Sequence, residues 1–419
     1  MTQQASSLST APAPSGFSVS ARKSAPAGPL VRTQTRRVLI ATINRPVGQT
    51  GVHTHTRVLE EGLVAAGFGC QVVSPFSRGP HWLPIFAIRR LLHPLDKSWS
   101  TRWYRRWHRA ALRDNLLRQL RNQELDGVVL AQCPVSADAA MEVRAQLKLD
   151  FTVAMVCHFN FSEAQEYREQ GVLADEASFN EILKFEQRVL SEVDRVIYVS
   201  QWAQQVVEQT RGIRTRASSV IWNGIPNSSA PRITREELGL EQDDLVFINV
   251  GTLEPRKNQV GLLDLFELIS KQESRARLVL VGEGPDRTAI TRKLEQQGPK
   301  IKVTLLGHRT DVPALLPSAD AYIHYSSLEN CPVALLEAAR AGLPVAAVAA
   351  GGVPELLQNL GGVALHETDL SRSLTALRPM LAGASLRRQL GAAARQGFES
   401  YFTREAMVKG YRQALELDD

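Results

Sequence analysis

Residues 318–355 constrain the fold of this chain more than any other stretch. They read SADAYIHYSSLENCPVALLEAARAGLPVAAVAAGGVPE. The apolar run 321–325 predicts a buried strand that stops at a polar turn, 326–330. Pro332 predicts the first turn of a helix, where its missing N–H is not needed. Gly342 ends that helix, and 344–348 predicts the next parallel strand. Gly351-Gly352 then lead into another helix at Val353-Pro354-Glu355. Two helix N-termini thus fall side by side at the carboxyl ends of neighbouring strands. Open α/β sheets bind ligands there, and helix N-termini favour phosphate.

Two acids mark the stretch, Glu329 in the turn and Glu337 on the helix, with seven residues between them. A carboxylate beside a diphosphate would be repelled, so it needs another partner. Sugar and ribose hydroxyls suit it, because an ionised carboxylate accepts two hydrogen bonds from a diol. The alternative is a pair of solvated acids in a helical region. The stretch resembles the Glu-x7-Glu motif of family 4 glycosyltransferases. That resemblance implies the GT-B fold: α/β, two Rossmann-like domains facing each other across a cleft. It also implies retention of anomeric configuration. It puts the donor hexose on Glu329 and the nucleotide ribose on Glu337. The sequence departs from the family at Asn330-Cys331-Pro332, where a Gly-rich turn is usual, so those three are expected at the donor hexose.

The 419 residues suffice for two domains with sizeable cores. No apolar run approaches the ~20 residues of a membrane-spanning helix. The N-terminus lacks a basic-then-apolar signal pattern, which argues for the cytoplasm. The four cysteines, Cys70, Cys133, Cys157 and Cys331, show no CxxC spacing and read as reduced thiols. Asp-x-Asp, HExxH and Walker A motifs are absent, so no metal or cofactor is expected.

Residues 1–36 are rich in Ser, Ala, Pro and Thr and predict a disordered tail. A first domain is expected over 37–228. Residues 38–43 predict a strand, 44–53 a loop with Gly48 and Gly51, and 71–74 a second strand after a helix. His53 and His55 would face opposite ways if extended, so no metal pair is indicated. Strands are also expected at 127–131, 152–157 and 195–199, a helix at 176–192, and a cap at Ser200. The resemblance places the acceptor near Gly48, Gln49, Thr50 and Gly51; a plain turn is the alternative. It also makes His158 the first-domain candidate beside the reacting sugar, although Phe159 stands where the family has Asp. A buried structural histidine is the other reading. Residues 220–226 resemble the strand and Asn-Gly turn that close the family's first domain.

A polar linker, 227–244, leads to a second domain over 229–399, with strands at 245–250, 278–281 and 303–306. Arg256 and Lys257, in a loop at a strand end, could neutralise a diphosphate. The resemblance gives that role to Lys257, with Arg256 replacing an arginine that the family has where Thr252 stands. It further implies donor contacts at Gly251, Thr252, Gly282, Gly284 and Arg309. Residues 400–419 predict a helix with Met407, Tyr411 and Leu415 on one face. In the family this helix returns to the first domain.

The net charge of +6 is uneven. Residues 78–121 hold eleven Lys/Arg, two acids and four of the six tryptophans: Trp82, Trp99, Trp103 and Trp107. The last three form a drifting helical stripe beside arginines. An interface helix on an anionic membrane surface explains both features, because core packing gives no reason for so many arginines. Burial of the tryptophans with snorkelling arginines is the second reading. Nucleic acid is the third and is not expected, since no binding motif accompanies it. The sequence as a whole predicts a glycosyltransferase at the inner face of a membrane. Its substrates would be a nucleotide sugar and a saccharide or lipid-linked saccharide acceptor.

Overall fold

The computed structural model describes residues 36–45, 48, 50–77, 83–121, 126–228 and 230–418. Two six-stranded sheets, parallel throughout, form its framework. The first contains β1 (Arg37–Ala41), β2 (Gly69–Val73), β3 (Gly127–Ala131), β4 (Thr152–Cys157), β5 (Arg195–Tyr198) and β6 (Ser218–Val220). Its helices are α1 (Gly51–Ala65), α2 (Leu83–Leu92), α3 (Lys97–Leu120), α4 (Pro134–Leu147), α5 (Glu163–Glu169), α6 (Glu176–Glu192) and α7 (Gln201–Gln204). A wider-pitched turn carries α7 on to Thr210.

The second sheet contains β7 (Leu245–Val250), β8 (Ala276–Val281), β9 (Val303–Gly307), β10 (Ala321–His324), β11 (Val345–Val348) and β12 (Val363–Leu365). Around it lie α8 (Gln259–Gln272), α9 (Arg287–Gln297), α10 (Val312–Leu315), α11 (Val333–Arg340) and α12 (Val353–Leu360). The chain ends with α13 (Leu370–Ala376), α14 (Arg378–Leu381), α15 (Ala384–Tyr401) and α16 (Arg404–Ala414).

Strands such as LVFINV and TVAMVC are almost wholly buried, as sheets covered on both faces require. The first sheet runs β2-β1-β3-β4-β5-β6, so strand order reverses between β1 and β3. The second runs β12-β11-β10-β7-β8-β9 and reverses between β7 and β10. A crevice opens above each reversal, at the carboxyl ends of the strands.

One apolar cluster fills the outer half of each unit, and a third joins them. The third takes Val38 and Leu59 from the first sheet's side, Val246 and Leu335 from the second's, and Ile221, Met407 and Tyr411 between. Helix α16 lies on α1, with Val408 and Arg404 against Gly62. Three local expectations need correction. The helix expected from Pro332 starts at Val333, with Pro332 as its extended cap. The strand before the Asn-Gly turn ends at Val220. The polar stretch 227–244 is anchored rather than loose. Arg235 within it is buried and donates to the carbonyls of Ser318, Gln242 and Asp244 and to Asp320.

Candidate active site

The loops after β7 and β10 meet at the second reversal. A single 3-10 turn, Pro255–Lys257, ends at Asn258, whose left-handed backbone lets its side chain cap α8. The two loops are bonded together: Ser327 N donates to the Arg256 carbonyl at 2.9 Å, and Arg256 Nη1 donates to the Leu328 carbonyl at 3.3 Å. This brings both cations onto one carboxylate. Arg256 Nη1 lies 2.8 Å from Glu329 Oε1, and Lys257 Nζ bonds the same oxygen. Glu329 is only 9% exposed. Burial alone would raise its pKa, but Lys257 and Arg256 outweigh burial and bring it down to about 2. Glu329 is therefore ionised at neutral pH. Its Oε2 takes no hydrogen bond from any described residue.

His324, at the end of β10, was not singled out in the sequence. Its Nε2 sits 3.9 Å from Glu329 Oε1. Burial, aided by Lys257, lowers its pKa to about 4, so it is neutral beside the carboxylate. Glu337 lies on the first turns of α11, half-buried, with its pKa raised by burial against the pull of Arg340. The Glu329 carbonyl accepts from Gly352 N at 2.9 Å, which sets the start of α12 beside the start of α11.

Gly251, Gly282 and Gly284 allow the loops after β7 and β8 to stack. A Cβ on Gly282, whose φ is +145°, would fall 1.9 Å from the Gly251 carbonyl oxygen. One on Gly284 would fall 2.2 Å from that of Leu253. Thr252 is exposed. Arg309 stands apart, after the edge strand β9, bonded to Asp311 at 2.8 and 2.6 Å.

The facing wall comes from the first sheet. A Cβ on Gly51, at the start of α1, would lie 4.0 Å from Val333, at the start of α11. Thr50 Oγ1 meets His53 Nδ1 at 2.7 Å, and Gly48 packs on the His53 ring. Gln49 lies outside the described residues. His158 follows β4, bonds Gln132 at 2.9 Å and is half-buried; the enclosure of its ring, with His55 beside it, drives its pKa well down. The His55 ring stands edge-on to it, with centroids 4.8 Å apart.

Glu166, on α5, carries a further carboxyl on this wall. Its Oε1 accepts from Asn160 N at 3.0 Å and Asn160 Nδ2 at 3.2 Å. Burial raises its pKa to about 7, while Arg256 of the opposite wall pulls it down. No spacing in the sequence pointed to Glu166, because Asn160 six residues before it forms no motif with it and Arg256 comes from the other sheet.

The arginine-rich stretch differs from expectation. Residues 78–82, Trp82 among them, lie outside the described residues. On α3, Arg102 and Arg106 grip Glu181, Arg105 grips Glu163 at 2.6 Å, and Arg109 reaches Asp138 and Glu142. Arg113 pairs with Asp114 and Glu142. Five arginines of α3 are thus paired with acids of α4, α5 and α6, so intramolecular pairing supplies a reason for these five that core packing seemed to lack. Trp107 packs among Phe76, Tyr104 and His108, and Trp103 stacks on Trp99. Beside exposed cations such as Arg106, a run of apolar side chains beginning on α2 also faces solvent: Ile88, Leu91 at 74% exposed, Leu95 at 81%, and Trp99. Among the described residues no helix is long and apolar enough to cross a membrane, and no three His, Cys, Asp or Glu side chains converge as metal ligands.

Two family models match, one on each sheet. Residues 49–228 match Glycosyltransferase Family 4, and residues 232–397 match Glycosyl transferases group 1. The chain is 27% identical over 200 residues to "Sulfoquinovosyl transferase SQD2" of Arabidopsis thaliana, covering 45% of this chain and 38% of the relative. It is 30% identical over 169 residues to the "UDP-Gal:alpha-D-GlcNAc-diphosphoundecaprenol alpha-1,3-galactosyltransferase" of Escherichia coli, covering 38% and 44%. The chain thus spans less than half the length of each of these relatives. The structure of Anabaena Alr3699/HepE in complex with UDP and glucose superposes with a TM-score of 0.66 at 16% identity, over 91% of this chain and 99% of that one. That likeness fixes the architecture as GT-B. The paired family models, which run from residue 49 to 397 with a gap of three residues, make this chain a member of the family 4 glycosyltransferases.

Proposed function

We propose that this enzyme moves a hexose, with retention, from a nucleotide diphosphate sugar to a saccharide acceptor carried on a lipid. The setting would be polysaccharide or lipopolysaccharide assembly of bacterial type, at an anionic membrane surface facing the cytoplasm. The observation that carries the reading is the ionised Glu329, gripped on one oxygen by Lys257 and Arg256 at the β7/β10 reversal. Its second oxygen suits a hexose hydroxyl. The two cations would neutralise a diphosphate that meets the starts of α11 and α12, and Glu337 on α11 would take the ribose. As the C1–O bond to phosphate breaks, charge gathers on the leaving oxygen, and Lys257 and Arg256 stabilise it. The acceptor oxygen bonds C1, and its proton passes to that phosphate oxygen. The neutral His158 and the Asn160–Glu166 pair line the acceptor's side.

The names of the relatives support this choice of substrates. One specifies a uridine diphosphate sugar and a lipid diphosphate acceptor, and the HepE structure holds UDP and glucose. The apolar ridge of α2 supports the membrane setting, with Arg89, Arg90 and Lys97 beside it. Calorimetry with UDP and GDP, then with their hexose conjugates, tests the reading. Glu337→Ala should weaken the free nucleotide and the sugar donor alike, and Glu329→Ala only the donor. Equal nucleotide affinity in the two variants would refute that division of roles. Nucleotide release no faster with a saccharide acceptor than with water would refute transfer.

A further inference from the structure

Three consecutive residues of the Glu329 loop are held by different parts of the molecule. The Glu329 carbonyl is bonded within its own domain, by Gly352. Asn330 reaches across to the first domain with both ends of its amide: Oδ1 accepts from Ser200 Oγ, and Nδ2 donates to the Phe159 carbonyl at 3.2 Å. The Cys331 carbonyl accepts from Asn223 Nδ2 at 2.9 Å. Asn330, Ser200, Phe159 and Asn223 are all buried.

The second chain of contacts has a direction. Because Asn223 Nδ2 donates to Cys331, its Oδ1 must accept, and the donor is His55 Nδ1 at 2.9 Å. The neutral His55 then accepts at Nε2 from Tyr411 of α16 at 3.2 Å. A relay therefore runs from the last helix through the first domain to the loop of the second. Gly352 makes room for the approach: a Cβ there would sit 2.8 Å from Ser200 Cβ. Glu355, three residues on, accepts from the backbone of Gln201 and Trp202 at 3.0 and 2.7 Å, beside the same Ser200.

We infer that Asn330 and Asn223 are positioning residues that tie the placement of Glu329 to the seating of the first domain on the second. The inference rests on the transferase reading above. Both ends of the Asn330 amide are engaged by the first domain, which leaves one N–H and one oxygen lone pair for any other partner. Where the family turn uses glycine, this chain places a side chain that is satisfied only when Ser200 and Phe159 have arrived. The nucleotide contacts expected of Lys257 and Glu337 lie wholly in the second domain and do not wait for that event.

A double-mutant cycle on Asn330→Ala and Ser200→Ala tests this. It is read as nucleotide release into water from UDP- and GDP-hexoses and as affinity for UDP and GDP. Each single variant should lose at least tenfold in release. Nucleotide affinity should stay within twofold, and the double variant should be no slower than the worse single. Ser200→Thr, which keeps the hydroxyl and the helix cap, should retain near-native release. Losses that multiply in the double variant would overturn the inference, as would loss of nucleotide affinity in step with release. Failure of the unsubstituted enzyme to bind either nucleotide would instead overturn the transferase reading.

Discussion

Lys257 and Arg256 share one oxygen of Glu329, so neither cation is spare in the resting site. Arg256 has a second carboxylate, Glu254, at 2.9 Å, whereas Lys257 pairs with Glu329 alone among the described residues. Lys257 is thus the cation better able to turn from Glu329 to a departing diphosphate. Lys257→Ala should cost about 2–4 kcal/mol of transition-state stabilisation, read as kcat/KM for the donor. Near-native turnover would remove it from the chemistry. Glu166 offers a pH-dependent counterpart. Its folded pKa of about 7 exceeds the ordinary carboxylate value, so the folded state holds a proton that the unfolded chain has lost. That contribution to stability is complete below the unfolded pKa of 4.5 and fades as pH rises towards 7. Glu166→Gln should flatten this decline by roughly 2 kcal/mol between pH 5 and 8, after allowing for partial solvent screening. Glu186, also near 7, leaves a residual slope of the same sign. Denaturant melts that keep the full slope in the variant would place the titration elsewhere.

Helices α2 and α3 divide the work that the sequence seemed to give to one stretch. Arg105 is buried against the equally enclosed Glu163, so Arg105→Gln should destabilise the protein by about 3–5 kcal/mol through the stranded carboxylate. Arg106→Gln, in a solvent-exposed pair, should cost less than ~1 kcal/mol. Leu91→Glu with Leu95→Glu should leave stability within about 1 kcal/mol, because both side chains already face water. The pair should nevertheless lower co-sedimentation with phosphatidylglycerol vesicles at least tenfold, and unchanged sedimentation would remove the ridge from membrane binding. What was legible here follows sequence distance. The tryptophan stripe is local periodicity, and the 24-residue α3 carries it as expected. The acids of α4, α5 and α6 that pair with its arginines lie 29 to 79 positions away along the chain, where no pattern links them. The site divides in the same way. The Glu329 and Lys257 loops were legible because each follows a continuous apolar strand. Glu166 and the bonds of Asn330 were not, because each depends on which strand ends the two sheets bring together, and His324 was not, because its neighbour Lys257 comes from the β7 loop of the same sheet.

The whole molecule is closed by its last helix. Met407, Val408, Tyr411, Leu415 and Leu417 are all buried in the apolar cluster that spans both sheets. Each fully buried side chain of this kind contributes about 1.5–3 kcal/mol. Five of them together match the roughly 5–15 kcal/mol by which domains are ordinarily stable. Ending the chain at Thr403 would also bare α1 along the face that Val408 covers and leave His55 without the hydroxyl of Tyr411. That truncation should therefore yield protein that is insoluble, or that lacks a cooperative melt. Tyr411→Phe separates the two contributions, because it keeps the ring and removes only the hydrogen bond. It should cost about 1 kcal/mol and leave the protein folded. If the relay through His55 and Asn223 places the loop beside Glu329, Tyr411→Phe should also slow nucleotide release while sparing nucleotide affinity. A truncated chain that melts cooperatively near the native temperature would show that the first domain does not need α16. A Tyr411→Phe enzyme with unaltered release would confine the last helix to packing.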